Sequence, residues 1–143
     1  MGVESTIGKP GGVHLIGAVD AMWMTGDGTD VTSKPKGTIE VKSPWSMGEV
    51  IDIIATYEAE SRLKERQHKH KKIFRAVNQV YGYMSANSHK YGVLTNFNCT
   101  WFFERSFRDH EGDCLRVSRP FYHNAIRPDL CGDIGIKFNI ISA

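Results

Sequence analysis

The stretch TIEVKSPW at residues 38–45 places a carboxylate and an ammonium group two residues apart inside a short β-branched run. Residues two apart in a strand lie on the same face, about 7 Å from each other along the chain. We therefore expect Ile39 and Val41 to point into a core. Glu40 and Lys42 then point together to the opposite face. A buried charge without a partner is costly or becomes neutralised, so two interpretations stay open: a structural ion pair on the sheet, or a group of charges around a metal ion.

Asp20 favours the metal interpretation. It interrupts the apolar run VHLIGAVDAMWM at 13–24, which is apolar on both alternating faces and predicts a strand covered on both sides. If this strand pairs with the strand that carries Glu40, the two carboxylates approach each other. Like charges repel at such a distance, whereas a hard divalent cation binds one or two carboxylates and keeps several water ligands.

The hydrophobic pattern predicts the elements that position these residues. Ser46 and Glu49 have the spacing of a capping box and predict the start of a first helix. The apolar periodicity stops near residues 60–70 and then returns with helical spacing, which predicts an amphipathic helix ending near Asn87. Strands are predicted at 13–24, 38–43, 91–97, 100–107 and 114–122, with a loop at 25–37 and one more strand within IGIKFNIIS at 134–142. Segregated strands and helices predict an α+β fold with helices packed on a mixed sheet.

The predicted amphipathic helix carries a polar stripe, formed by Lys72, Arg75, Gln79 and Tyr83. Lys72, Gln79 and Tyr83 fall within about 40° of one another around the helix axis, and Arg75 lies at one edge of the group. The apolar stripe stands elsewhere on the helix and consists of Ile73, Val77, Val80 and Met84. A lysine, an arginine, an amide and a phenol on one face form a suitable surface for phosphate and sugar contacts.

The ordered set of residues resembles a known family. An Asp near the end of one strand, Glu-x-Lys on the next strand and a following helix resemble the PD-(D/E)XK phosphodiesterases, which have the restriction-endonuclease-like fold. The segment QVYGY at 79–83 is similar to the Gln-x-x-x-Tyr pattern of their RecB-like branch. The sequence from EVKSPW to TWFFER resembles fungal nuclease-like domains, some of which lie ahead of protein-kinase-like domains while others belong to Crinkler-type effectors. The resemblance covers roughly residues 13–105.

The resemblance implies roles for individual residues. Asp20, Glu40 and the main-chain carbonyl of Val41 hold Mg²⁺, or Mn²⁺ in its place. Lys42 orients the attacking water and stabilises the charge that grows on the phosphate. Gln79 and Tyr83 join the catalytic set, and the whole polar stripe contacts nucleic acid, with DNA favoured over RNA.

Length and composition limit the other expectations. With 143 residues and a formal net charge of +2, the chain is predicted to form one domain, and its charge alone identifies no partner. We expect a flexible lead-in at 1–12, the nuclease-like domain at 13–122 and a divergent tail at 123–143. The three cysteines lack CxxC spacing, which indicates an intracellular setting, and the resemblance extends this to the nucleus of the organism itself or of a host. No apolar run is long enough to span a bilayer.

One departure from the family pattern keeps an alternative open. The family usually has an acidic residue on a helix before the first strand, and here only Glu4, in a Gly-rich segment, precedes residue 13. A catalytically inactive module that binds nucleic acid or a partner protein is therefore the second hypothesis. A homo-oligomer or a kinase-like partner segment is compatible with either hypothesis.

Overall fold

Two strands, a group of helices and then five more strands follow one another in the described part of the chain. The computed structural model describes residues 20–25, 34–108, 112–123 and 138–141. Its strands are β1 (Ala21–Thr25), β2 (Lys34–Val41), β3 (Tyr91–Thr95), β4 (Cys99–Arg108), β5 (Gly112–Ser118), β6 (Phe121–Tyr122) and β7 (Phe138–Ile141). Its α-helices are α1 (Pro44–Met47), α2 (Ile53–Ser61) and α3 (Lys72–Ala86), and a 3₁₀ helix spans Glu65–His70.

These elements form one α+β domain around a mixed sheet flanked by helices. Six strands lie in the order β1-β2-β3-β4-β5-β7, and β6 pairs with β4 outside this path. The β2 and β3 strands are parallel, while all the other neighbours pair antiparallel. A parallel pair needs a crossover connection, and the helices between residues 44 and 86 supply it. The chain returns at β7 to extend the sheet beside β5.

The α3 helix confirms the predicted amphipathic pattern. Its apolar stripe is buried throughout, together with Ala76, against Leu94, Trp101 and Phe103 of the sheet. The helix ends at Ala86 with Asn87 as its C-cap, near the predicted end. Packing of an apolar stripe, rather than helix propensity, supplies most of the stability of such a helix, and it fixes the rotation of α3 about its own axis.

The face on which Glu40 lies differs from the prediction. Thr38 and Glu40 are buried, at 1% and 3% exposed, while Ile39 and Val41 are only half-buried. Glu40 lies beside Leu94 in the parallel β2–β3 register, on the face that α3 covers. The prediction that Ile39 and Val41 point into the core is therefore wrong, because α3 packs on the side of the sheet that carries the charged pair.

The bounds of the first two strands also differ from the prediction. Asp20 lies in a bend just before β1 rather than inside a strand, and the predicted strand residues 13–19 lie outside the described part of the chain. The β2 strand begins at Lys34, within the segment predicted as a loop. Pro35 is tolerated there because it lies opposite Met24, where the β1–β2 register shifts and a strand accepts a residue without an amide hydrogen.

The predicted capping box at Ser46 and Glu49 is wrong. Ser46 lies inside the one-turn helix α1, which ends at Gly48 with a φ of 72°. The next helix begins at Ile53 and is capped by Asp52, whose Oδ1 accepts hydrogen bonds from the amides of Ile54 and Ala55, each at 3.0 Å. A carboxylate that binds two free amides is the stronger N-cap.

The predicted strand at 114–122 is divided in two. β5 ends at Ser118 and β6 begins at Phe121. Pro120, which has no amide hydrogen to donate to a ladder, lies between them.

None of the helices in the described part of the chain combines the length and the apolar character that a membrane span needs.

Gly92 sets the distance between α3 and the sheet. A Cβ atom at this position would lie 2.6 Å from Met84 Sδ and 2.9 Å from Val80 Cγ1. We expect Gly92→Ala to lower the free energy of unfolding by about 1–3 kcal/mol, because the helix must move or its side chains must leave their rotamers. Urea denaturation measures the change. The matched control is Gly82→Ala, where nothing lies within 4 Å of the new methyl group and we expect stabilisation of up to about 1 kcal/mol; equal effects of the two substitutions would contradict the close approach at Gly92.

Candidate functional site

Glu40 is the centre of the candidate site. Its side chain is buried between the sheet and α3, and its Oε1 accepts a hydrogen bond from Lys42. Burial raises the pKa of Glu40 above its ordinary value, and the nearby charge of Asp20 raises it further, while Lys42 lowers it. Desolvation outweighs the ion pair, so Lys42 compensates only in part for the burial of this carboxylate.

Lys42 is held in place by its backbone and by its side chain. It follows β2 directly, and its amide donates to the Thr95 carbonyl of β3 at 2.8 Å. Its ammonium group donates to Glu40 and, at 2.8 Å, to Gln79 Oε1 on α3. The side chain is 26% exposed, so the ammonium group lies at the boundary between the core and solvent. An ammonium group has three N–H donors, and the described residues occupy two of them.

Gln79 and Tyr83 continue this chain of hydrogen bonds along α3. Gln79 Nε2 donates to the Tyr83 hydroxyl at 3.1 Å, one helical turn away. The chemistry of Lys42 settles the orientation of the amide, because an ammonium group can only donate and Gln79 must turn its oxygen toward it. The structure therefore brings Glu40, Lys42, Gln79 and Tyr83 together in one network, all four of which are predicted catalytic residues.

Asp20 reaches the same end of β2 from outside the sheet. It is exposed, and its Oδ2 accepts a hydrogen bond from the amide of Val41 at 2.8 Å. Ala21 pairs with Ile39, so Asp20 comes next to the Glu40 position in the antiparallel register. Asp20 lies near enough to Glu40 for its charge to contribute to the raised pKa of Glu40, and it approaches from a bend and not from within a strand.

The two carboxylates have the composition of a sparse magnesium site. Within the described part of the chain, no hydrogen bond is made by Glu40 Oε2 or Asp20 Oδ1, so each carboxylate keeps one oxygen for a cation. The described residues contain no group of three or more His, Cys, Asp or Glu side chains that could hold a metal ion. Mg²⁺ commonly binds through one or two carboxylates and retains several waters, and the residues present fit that mode of binding. The carbonyl of Val41 remains a predicted ligand.

The remaining residues of the polar stripe lie beside this network. Lys72 and Arg75 are exposed on α3, and the Lys72 ammonium group contacts the carbonyl of Trp45 at 3.5 Å. Lys72 and Gln79 lie on one side of α3. The polar stripe therefore extends from exposed Lys72 to Gln79, which contacts the ammonium group of Lys42. It forms a positively charged border on one side of the candidate site.

Sequence reasoning missed three exposed aromatic side chains at the same end of the sheet. Trp45, Phe97 and Tyr122 are 81%, 63% and 52% exposed. Pro44, Asn98 and Tyr122 line a cleft of about 420 Å³ there. The only sequence signal was Trp45, which follows Pro44 and lies three residues after Lys42 of the Glu-x-Lys segment. Phe97 gave none, since its exposure depends on how the β3–β4 turn is built.

The raised pKa of Glu40 makes the stability of the fold depend on pH. The folded protein holds the Glu40 proton more tightly than the unfolded chain does. The stabilisation from this proton is therefore complete below the ordinary pKa of 4.5 and is lost as pH rises through the higher folded value. We expect the free energy of unfolding of the wild type, relative to that of Glu40→Gln, to fall across this window. Urea denaturation from about pH 4 to about pH 8 measures it.

Glu58→Gln is the control for this measurement, because it changes an exposed carboxylate on α2 and gives the background effect of losing one charge. A difference between wild type and Glu40→Gln that stays constant with pH would contradict the buried, poorly compensated charge.

Comparison with known proteins identifies no relative of this chain: no protein-family model, no curated protein and no solved structure matches it.

Proposed function

We propose that this protein is a metal-dependent phosphodiesterase that cleaves nucleic acid through Asp20, Glu40 and Lys42. DNA is favoured over RNA as the substrate. The observation that carries the proposal is the hydrogen-bond network around Lys42. Its ammonium group is fixed by Glu40, which is buried in β2, and by Gln79, which lies on α3. A structural ion pair needs only two partners. Here a second element orients the lysine, and burial, with a smaller effect of Asp20, raises the pKa of Glu40, which is the kind of perturbation found at functional sites.

The strand order supports the same proposal. The candidate residues lie where β1 pairs antiparallel with β2, and where β2 connects through α3 to the parallel strand β3. This order is compatible with a restriction-endonuclease-like core, which we include in the proposal. Gln79 of the crossover helix contacts Lys42, and Tyr83 contacts Gln79, which supports including the RecB-like pattern in the proposal.

Each residue of the candidate site would have a separate role in the reaction. A bound Mg²⁺ ion supplies positive charge for the phosphate oxygens and lowers the pKa of a bound water. Asp20 and Glu40 would hold the ion with their remaining carboxylate oxygens. Lys42 would use its third N–H to orient the attacking water, whose oxygen bonds to phosphorus as the ester P–O bond breaks. The proton lost by the attacking water would pass to solvent, and the departing alkoxide oxygen would take up a proton from solvent water.

The positioning of Lys42 is the contribution of α3. A free lysine side chain samples many rotamers, and fixing them costs up to about 2 kcal/mol of entropy. Because the hydrogen bonds to Glu40 and Gln79 fix Lys42 when the protein folds, this entropy is lost during folding and not during the reaction. A donor that is already oriented toward the developing charge needs no reorganisation in the transition state.

A catalytically silent binding module is the second candidate. The observation that favours it is that Lys42 already compensates part of the Glu40 charge without a metal ion. In this case the network is structural, and the polar stripe and the exposed aromatic residues dock nucleic acid or a partner protein. Metal affinity separates the two candidates, because only the phosphodiesterase requires Asp20 and Glu40 to share a cation.

Lys42→Ala tests the catalytic role. We expect purified wild-type protein to nick or degrade supercoiled plasmid with Mg²⁺ or Mn²⁺. We expect Lys42→Ala to lower the rate by roughly 100-fold or more, because it removes a donor that acts on the transition state. The matched control is Lys36→Ala, which deletes an exposed lysine from the same strand and should leave the rate unchanged. Plasmid that stays equally intact with wild type and Lys42→Ala, across several metals, would overturn the catalytic proposal.

Mn²⁺ binding tests the metal site directly. We expect isothermal titration calorimetry to show one site. Asp20→Asn and Glu40→Gln should each weaken it by roughly tenfold or more, since loss even of an outer-shell partner costs that much in known metal sites. Glu58→Gln should have no effect. Absence of Mn²⁺ binding, or binding that neither substitution changes, would favour the silent module.

A further inference from the structure

Three exposed aromatic rings border the candidate site. We refer to Trp45, Phe97 and Tyr122 as the aromatic rim; they are 81%, 63% and 52% exposed. Isolated exposed apolar residues are common on protein surfaces. Several large exposed rings at one end of a sheet are uncommon, and such groups mark interaction sites.

The backbone places the aromatic rim at the end of the sheet where Lys42 lies. Thr95, the last residue of β3, accepts a hydrogen bond from the amide of Lys42, so Phe97 follows that contact by two residues. Tyr122 pairs with Cys99 at the start of β4. Trp45 lies in α1, three residues after Lys42. The cleft lined by Pro44, Asn98 and Tyr122 lies among these segments.

Phe97 is held in a backbone conformation that a bulky residue rarely adopts. Its φ is 68°, in the left-handed region where an L side chain costs roughly 1–2 kcal/mol. The turn is fixed by Asn96, whose Oδ1 accepts hydrogen bonds from the amides of Asn98 and Cys99 at 3.1 and 2.9 Å. Glycine would adopt this conformation without strain. A phenyl ring that is 63% exposed buries little surface to offset the strain of this backbone conformation, so its presence points to a binding role.

Positive charge accompanies the aromatic rim. The ammonium group of Lys72 contacts the carbonyl of Trp45 at 3.5 Å, and Arg75 is exposed on the same helix. Aromatic faces beside a basic border complement a chain that alternates flat bases with phosphates. Bases can stack on such rings only when they are unpaired, since paired bases in a duplex already stack on their neighbours.

We propose that the aromatic rim binds unpaired nucleobases, so that the substrate is a single-stranded or locally unpaired segment whose phosphates pass Lys72 on the way to Lys42. This inference rests on the proposed phosphodiesterase function for its biological meaning. The binding itself requires neither a metal ion nor cleavage. It can therefore be measured separately from catalysis.

The experiment is fluorescence anisotropy in EDTA with three labelled oligonucleotides of one length: single-stranded DNA, single-stranded RNA and duplex DNA. We expect both single strands to bind at least tenfold more tightly than the duplex, and the two single-stranded probes separate DNA from RNA as the source of the bases. Phe97→Gly and Trp45→Ala should each weaken single-strand binding by roughly 5- to 100-fold, the fold-change that corresponds to the loss of one stacked base.

Ser88→Gly is the matched control. Ser88 also has a positive φ, 55°, but it lies in the turn between α3 and β3, at the opposite end of β3. Both glycine substitutions should leave the urea midpoint unchanged or raise it, because both relieve backbone strain. Only Phe97→Gly should weaken binding. This combination of an intact or more stable fold with weaker binding excludes unfolding as the cause of the loss.

Results of two kinds in the binding experiments would overturn the inference. One is equal affinity for duplex and single strands, or single-strand binding that neither rim substitution changes. The other is a concentration-dependent dimer, detected by light scattering, that Phe97→Gly converts to monomer, since the rim would then be a contact between two copies. Cleavage of duplex without a single-strand preference would overturn this inference alone. Rim-dependent binding of single strands without cleavage under any metal would overturn the proposed catalysis alone.

Discussion

The burial of one carboxylate is the constraint on which the candidate site depends. Glu40 lies under α3, 3% exposed, where an ionised group without a partner is unstable. Lys42, two residues later on the same face, supplies the partner, and its own ammonium group needs a further acceptor, which Gln79 provides. The partners of one buried charge therefore link the end of β2 to the crossover helix.

Two features of the core packing fix the position of α3 relative to the sheet. Gly92 lets the helix approach the sheet closely, and the buried apolar stripe fixes its rotation. With the rotation fixed, Gln79 and Tyr83 cannot turn away from β2. The site is therefore a consequence of core packing, and small changes in the helix-to-sheet distance are expected to act on Lys42 directly.

Features that cost stability gather at one end of the sheet. The burial of ionised Glu40, which raises its pKa, and the left-handed conformation of Phe97 both oppose folding, and both residues lie near the carboxyl ends of β2 and β3. Departures of this kind are expected at functional sites, where the rest of the structure compensates for them. Ser88 has a local explanation instead, since a residue with positive φ commonly follows the end of a helix.

The sequence by itself determined the amphipathic helix, the alternation of the later strands and the pairing of Glu40 with Lys42, because these depend on periods of 3.6 and 2 residues within short segments. Tertiary structure alone decided which face of β2 is buried, since that depends on where α3 packs after a long crossover. It also decided the helix start at Asp52 and the exposure of Phe97, where distant backbone contacts override local patterns. Local spacing fixes which side chains share a face; only the packing of distant segments decides which face meets solvent.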